Sequence, residues 1–175
     1  SENSLGIDTT WSVKAEGRTD VCHRSAPQFV MTSCTLVQRV SNCNWATCYD
    51  DVHFIRMLLS MLTDKLPVDT SRIYLVGPSN GGMLTDYLVT QLPGTFAAAV
   101  PWYGALLVDS LPPPAVAALN GTSLLAIHGG QDVLIPAAGG EDADAHYLYL
   151  SEREVVSQWA AVNGCEAKAV STTTP

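Results

Sequence analysis

One short segment limits the possible folds of this chain more than any other. It reads RIYLVGPSNGG from Arg72 to Gly82, and it joins an apolar, β-prone stretch directly to the pattern G-x-S-x-G. The apolar stretch is typical of a buried strand, and residues 83–92 are typical of a helix that ends at Pro93. The segment therefore predicts a strand, a sharp turn with Ser79 at its tip, and a helix.

The serine and the glycines of this turn have a chemical and a steric explanation. A serine in such a turn has strained backbone geometry, and its hydroxyl projects beyond the end of the strand as a nucleophile for acyl transfer. Side chains two positions before and after it would collide with the strand and the helix, so Gly77 and Gly81 are expected to provide room. The backbone N–H of Asn80 is expected to donate to the oxyanion. A plain Ser-Gly turn is the alternative.

Size and composition indicate a globular protein of one domain. The chain has 175 residues, of which 47 % are hydrophobic and 15 % are charged, so a core can form and extensive disorder is disfavoured. The net charge of -8 disfavours nucleic acid and anionic membrane surfaces as partners. No apolar run has the length of a membrane span. Because the chain begins at Ser1 rather than Met, we expect a processed, engineered or incomplete amino terminus.

The cysteines and one sequon indicate an oxidising, secretory compartment. Residues 1–49 are rich in Gly, Ser, Thr and Asn without periodicity, which predicts an extended segment pinned by disulfides. Its four cysteines are Cys22, Cys34, Cys43 and Cys48. Asn120 begins an N-glycosylation sequon, and Cys165 is the expected odd cysteine, with any partner beyond Pro175. Buried reduced thiols and an unused sequon are the alternatives, and the spacing matches no metal site.

Residues 50–175 alternate predicted helices with apolar strands. Besides the helix after Ser79, helices are predicted over 51–66 and 151–164, and strands over 73–76, 96–102 and 123–127. The apolar faces of these two helices consist of Val52, Ile55, Leu58, Leu59, Leu62 and Leu66 in the first and Val155, Val156, Trp159 and Val162 in the last. Apolar strands that alternate with helices predict an α/β fold with a parallel sheet covered on both faces.

Asp132 is the candidate for the acid of a catalytic triad. A serine nucleophile needs a base, and the base needs a carboxylate that orients it. Asp132 follows Ser79 by 53 residues (132 − 79), in the loop that leaves the third predicted strand. The carboxyl ends of the strands are where an open α/β sheet forms its site. An aspartate that caps its own turn is the alternative.

The base is harder to assign, because few of the four histidines have a suitable position. His23 and His53 precede the serine, and His128 precedes the acid. In the order serine, acid, histidine only His146 remains, 14 residues (146 − 132) after Asp132. A strand and a long loop normally intervene, so a surface histidine is the favoured interpretation of His146 and a catalytic base the less favoured one.

Two aromatic residues follow the second predicted strand at the rim of the expected site. Trp102 and Tyr103 are candidates to stack on an aromatic acyl group or a sugar of the substrate. Ordinary packing at the end of a sheet is the alternative.

Several stretches together resemble the polyhydroxybutyrate depolymerase and feruloyl esterase-like branch of the α/β-hydrolases. They are residues 43–55 (CNWATCYDDVHFI), 69–74 (DTSRIY), 77–83 (GPSNGGM), 96–98 (FAA), 127–136 with Asp132 and Pro136, and 159–165. The resemblance extends from about residue 11 to residue 165. Its Ser-Asn-Gly-Gly-Met version of the turn is more specific than G-x-S-x-G alone.

The resemblance implies one partial α/β-hydrolase domain over residues 1–175, in which flanking helices cover a parallel sheet. It implies a secreted carboxylic ester hydrolase that needs no cofactor, with Ser79 as nucleophile and Asp132 as acid. The substrates would be feruloyl or acetyl esters, wall polysaccharides or polyesters. The family's oxyanion His-Gly loop and its late catalytic histidine have no match here, so we expect a partner chain or a further segment to complete the sheet. A catalytically incomplete subunit for binding or assembly is the alternative, and a serine peptidase is a third.

Overall fold

The described part of the protein is a sheet with helices packed against it. In a computed structural model, Trp11, Val13 and residues 50–106, 121–141 and 148–165 are described. They form α1 (Asp51–Lys65), β1 (Tyr74–Pro78), α2 (Asn80–Gln91), β2 (Ala98–Trp102), β3 (Ser123–Leu124), β4 (Gly140–Glu141), β5 (Leu148–Tyr149) and α3 (Glu152–Val162). The α/β class predicted from the alternation of helices and strands is confirmed.

The central sheet is parallel and has the order β1-β2-β3. Its register pairs Pro78 with Trp102, and a further bridge pairs Trp102 with Ile127. The carboxyl ends of the three strands therefore lie side by side. The antiparallel ribbon of β4 and β5 was not predicted, because strands of two residues carry no periodic signal.

Helix α1 agrees with its predicted bounds. The carboxylate of Asp50 accepts from the His53 backbone N–H at 2.9 Å and caps the first turn, and the helix stops before Pro67. Val52, Ile55 and Leu59 pack on the core as predicted. Leu66 does not: it is the C-cap residue, its backbone is extended, and its side chain is exposed.

Helix α2 is the centre of the core. Residues 82–90 are all buried, and the helix packs on both β1 and β2. The prediction that the strands are buried on both faces is wrong for the described residues. Tyr74 and Val76 of β1 are 60 % and 67 % exposed, and Leu125 and Ile127 after β3 are also exposed, because they alternate with the residues on the helix-covered face.

Helix α3 begins with the predicted cap, since the Ser151 hydroxyl accepts from the Glu154 N–H at 3.2 Å. Val155 and Trp159 are buried, and the Trp159 indole N–H donates to the Thr122 carbonyl at 2.7 Å. Val156, which was predicted on the inner face, is 38 % exposed. Only the side of the helix that carries positions 155 and 159 faces the core, because positions four apart share one side of a helix.

Candidate active site

Ser79 lies in the predicted bend between β1 and α2. Its backbone has φ 53° and ψ −127°, a left-handed conformation that an L-residue adopts only under strain. The surrounding structure holds this geometry: the Ser79 N–H donates to the Trp102 carbonyl at 2.9 Å, and its carbonyl accepts from the Met83 N–H at 3.0 Å. The side chain is half-buried at the carboxyl edge of the sheet.

The close packing around the bend involves more glycines than the motif suggested. A Cβ at Gly77 would lie 2.2 Å from the carbonyl oxygen of Gly81, so the prediction for Gly77 is confirmed. The prediction for Gly81 is wrong, because a Cβ there would meet Pro78 at an ordinary 3.6 Å. Sequence reasoning missed Gly104, where a Cβ would lie 2.5 Å from the Gly82 backbone. Backbone-to-backbone contact thus brings α2 against the chain that leaves β2.

Asn80 is the first residue of α2, and its backbone and its side chain have different surroundings. As the first helical residue it has a backbone N–H without an intrahelical acceptor, at the positive end of the helix dipole. Its side-chain amide binds the backbone of Trp11: Oδ1 accepts from the Trp11 N–H at 2.6 Å and Nδ2 donates to the Trp11 carbonyl at 3.2 Å. The Trp11 ring stacks on Phe54 with centroids 6.4 Å apart. No sequence pattern indicated this contact, because 69 residues separate its partners.

Trp102 and Tyr103 lie beside Ser79 at the end of β2. Tyr103 also has a positive φ, 40°, and its N–H donates to the Ile127 carbonyl at 2.7 Å. The two rings meet edge to face with centroids 5.4 Å apart, and Trp102 is 48 % exposed. The strain at neighbouring positions 79 and 103 marks this edge of the sheet as the candidate site.

Asp132 belongs to a loop that follows the third strand, which we term the acid loop (residues 128–135). Its Oδ1 accepts from the backbone N–H groups of Leu134 at 2.9 Å and Ile135 at 3.0 Å. Oδ2 takes part in neither bond and lies 3.8 Å from His128 Nε2. The two interpretations of Asp132 are therefore compatible, since Oδ1 caps the turn while Oδ2 can accept from a catalytic imidazole.

Behind the acid loop lie three ionisable groups: His128, which the sequence analysis set aside as a base, and Glu152 and Asp86, which it did not consider. The His128 side chain is 5 % exposed; its Nε2 lies 2.8 Å from the Ile135 carbonyl and its Nδ1 lies 3.3 Å from Glu152 Oε2. Burial raises the pKa of Glu152, although its hydrogen bond with His128 and the His128 charge act in the opposite direction.

The third group is Asp86, on the buried side of α2. Burial raises the pKa of Asp86 well above its ordinary value, and the negative charge of Glu152 adds to this. Its Oδ1 has no hydrogen-bond partner within the part of the chain that the structure describes. A carboxyl group in such surroundings favours its neutral, protonated form.

Other predicted positions fall outside the described residues. These are His146, Asn120 and the four cysteines of the amino-terminal segment, Cys22, Cys34, Cys43 and Cys48. Cys165 is exposed and forms no disulfide with any described residue. A groove of about 640 Å³ lies between β3 and α3, but neither Ser79 nor Asp132 lines it. None of the helices in the described ranges combines the length and apolar character that a membrane crossing requires.

Comparison with known proteins agrees with this geometry. Residues 49–160, which contain the bend and the acid loop, match the phospholipase/carboxylesterase family Abhydrolase_2. The chain belongs to this family. Membership of the α/β-hydrolase superfamily, which the resemblance implied, is thereby confirmed.

Three curated proteins are similar to parts of the chain. Feruloyl esterase B of Piromyces equi is 29% identical over 119 residues, 66% of this chain and 22% of that protein. A protein of Nocardia uniformis subsp. tsuyamanensis named "Putative esterase NocK" is 34% identical over 95 residues, 54% of this chain and 27% of its own length. Acylamino-acid-releasing enzyme 1 of Oryza sativa subsp. japonica is 43% identical over 49 residues, 28% of this chain and 6% of that enzyme.

The matched part of the chain thus spans less than a third of each of these relatives. No solved structure matches the chain.

Proposed function

We propose that this chain carries the nucleophile and the acid of a serine carboxylic ester hydrolase. The observation that carries the proposal is the strained backbone of Ser79 at the carboxyl edge of the sheet, beside the end of β2. A positive φ at a serine costs on the order of 1–3 kcal/mol and persists only where surrounding structure holds it. The family match and the esterase names of two relatives support the same reaction class.

In the proposed reaction, Ser79 Oγ attacks the ester carbonyl carbon while a histidine base takes the hydroxyl proton. The carbonyl oxygen becomes an oxyanion, which accepts a hydrogen bond from the Asn80 backbone N–H at the start of α2. The tetrahedral intermediate then expels the alcohol, which receives the proton from the base. Water hydrolyses the acyl-serine by the same steps.

In the same reaction, Asp132 Oδ2 accepts a hydrogen bond from the second N–H of the base and so orients the imidazole ring. Oδ2 can do so because Oδ1 alone accepts the loop N–H groups of Leu134 and Ile135. Of the sequence candidates for the base, only His146 follows both residues in the chain. Its assignment as the base remains a proposal.

The proposed substrates are feruloyl or acetyl esters of plant-wall material, or polyesters, as in the predicted branch of the superfamily. The name of the Piromyces relative supports a feruloyl ester. Exposed apolar side chains accompany both parts of the site: Trp102 at the carboxyl end of β2, and Val133 and Leu134 next to Asp132. Such surfaces favour an apolar or aromatic substrate group.

Secretion and disulfide pairing of the amino-terminal cysteines belong to this proposal.

A serine peptidase of the same fold is the second candidate. The match to an acylamino-acid-releasing enzyme favours it, although that match covers 49 residues. Both reactions use the same acyl-enzyme chemistry, so the leaving group, an alcohol or an amine, distinguishes them.

Labelling with a fluorophosphonate tests the nucleophile, because such reagents phosphonylate an activated serine and need no turnover. We expect one adduct by intact mass, located on Ser79 by peptide mapping, and none in Ser79→Ala. Ser60→Ala, at an exposed position of α1, is the matched control and should label like the wild type.

Two outcomes would contradict the proposal. One is equal labelling of Ser79→Ala, and the other is a folded wild-type protein that does not react, which would favour a subunit for binding or assembly. Comparing hydrolysis of methyl ferulate and p-nitrophenyl acetate with that of an N-acetylated aminoacyl p-nitroanilide separates the esterase from the peptidase.

A further inference from the structure

We propose that His128 is a positioning residue for the acid: it holds the acid loop so that Asp132 Oδ2 faces the catalytic imidazole, and Glu152 of α3 holds His128. This inference rests on the proposed function, because it takes Asp132 as the acid. Two residues are thereby added to the site: His128, the first residue of the acid loop, and Glu152, the first residue of α3.

Ile135 is the point at which the acid loop is anchored. It is 2 % exposed, its N–H donates to Asp132 Oδ1 at 3.0 Å, and its carbonyl oxygen lies 2.8 Å from His128 Nε2. Asp132 and His128 therefore bind opposite ends of one buried residue. If the bond from His128 is lost, a buried carbonyl has no donor and the residue that orients Asp132 is free to shift.

The chemistry of the carbonyl determines the protonation of His128 Nε2. A carbonyl oxygen only accepts, so Nε2 must carry a hydrogen whenever this bond is present. Nδ1 faces Glu152 Oε2 at 3.3 Å, and this contact has two possible forms. Either an imidazolium donates to the Glu152 carboxylate, or a protonated Glu152 donates to a neutral Nδ1. Both forms leave the hydrogen on Nε2.

The two forms contain the same number of protons, and removing one proton creates a conflict. A neutral imidazole beside an ionised Glu152 has one N–H for two acceptors, the Ile135 carbonyl and the Glu152 carboxylate. The ionisable groups that face this pair are Asp86 from α2 and Asp132 from the loop itself. The bond from His128 to the Ile135 carbonyl is therefore expected to weaken as the pH rises and the proton shared with Glu152 is lost. Burial of Glu152 beside Asp86 raises the pKa of Glu152 and so favours retention of that proton.

Kinetics of His128 variants test this role. In His128→Leu we expect kcat to fall by about 10- to 100-fold, with little change in KM, since misplacing a catalytic group by about 1 Å costs rate at this scale. His128→Gln has an amide N–H that can replace the Nε2–H, so it should restore most of kcat. His53→Leu and His53→Gln, at an exposed position of α1, are the matched controls and should not change kcat.

The pH profile tests the role of Glu152. In Glu152→Gln the amide can donate to Nδ1 at every pH, so the Nε2–H form is retained and the alkaline loss of kcat should move to higher pH or disappear. A merely structural role would leave the profile unchanged. Long-range ¹⁵N NMR of the folded chain should show a hydrogen on His128 Nε2 near neutral pH; a hydrogen on Nδ1 alone would overturn the proposal.

The outcomes separate this inference from the proposed function. If Ser79→Ala still labels and hydrolyses esters, the proposed function fails. If Ser79→Ala is inactive while His128→Leu retains the wild-type kcat, only the positioning role fails. If His128→Leu does not fold, the His128→Gln kinetics, the Glu152→Gln profile and the NMR measurement decide the question.

Discussion

The bend at Ser79 and the acid loop at Asp132 lie at one edge of one sheet, but different interactions hold them. Around the bend, backbone contacts backbone: Gly77 lies against Gly81, and Ser79 bonds through its main chain to Trp102 and Met83. In the acid loop, side chains hold the backbone, with a carboxylate and an imidazole bonded to Ile135.

The two halves of the site should therefore be sensitive to different kinds of change. The bend contains no ionisable group among its bonds, so steric changes should damage it and pH should not. The acid loop depends on contacts among His128, Asp132 and Glu152, and burial raises the pKa of Glu152, so the loop geometry should respond to the protonation of Glu152. Substitutions that alter volume at one region and charge at the other test this contrast.

The largest effect is expected from Asp132→Asn. The amide oxygen can still accept from Leu134 and Ile135, so the loop should keep its structure, while an NH₂ group replaces the acceptor Oδ2. Loss of the orienting carboxylate reduces kcat by about 10³- to 10⁴-fold in triads of this type. Steady-state ester hydrolysis measures the fall, and a matching circular dichroism spectrum shows that the fold is intact. A variant with unchanged kcat would remove Asp132 from the mechanism.

Gly77→Ala should have the next largest effect, on stability rather than on chemistry. The new methyl group would lie 2.2 Å from the Gly81 carbonyl oxygen, and neither backbone can move without opening the bend. We expect a loss of about 3 kcal/mol or more in the free energy of unfolding, at the upper end for overpacking. Gly81→Ala is the matched control within the same motif. It meets ordinary contacts and lies in α2, so urea unfolding should show equal or slightly higher stability.

Near pH 4 the smallest effect is expected from Asp86→Asn, at a residue of α2 whose carboxyl senses the charge of Glu152 behind the acid loop. Because burial raises the pKa of Asp86 above 3.8, the native state keeps a proton that the unfolded chain releases. Wild-type stability should therefore fall relative to the variant as pH rises above about 4, by up to about 1.4 kcal/mol per pH unit until the native carboxyl ionises. Below that pH the difference between the two proteins should be constant. Urea unfolding between about pH 3 and pH 7 measures the trend.

Asp69→Asn is a control in which the pH dependence of the stability difference should have the opposite sign. Hydrogen bonds with Ser71 and Arg72 lower the pKa of the exposed Asp69, so its contribution is present at neutral pH and is lost as pH falls. Relative to wild type, Asp69→Asn should therefore become less destabilised at low pH. A stability difference for Asp86→Asn that does not change with pH would show that the pKa of Asp86 is not raised in the native state.

Local patterns predicted the elements of the site, and contacts between distant residues completed it. The G-x-S-x-G turn, the cap at Ser151 and the position of Asp132 after a strand each involve residues a few positions apart, so the sequence alone indicated them. The exposure of Val76, Leu66 and Val156 was not predictable, because which face of an element is covered depends on its neighbours.

The amino-acid sequence was sufficient to predict the strand–turn–helix unit around Ser79, because glycine sterics and apolar periodicity act over a few residues. Three contacts became evident in the folded protein alone: Asn80 binds Trp11, Gly104 contacts Gly82, and Glu152 lies beside His128. These partners are 69, 22 (104 − 82) and 24 residues apart, so no pattern within a few positions of the chain relates them.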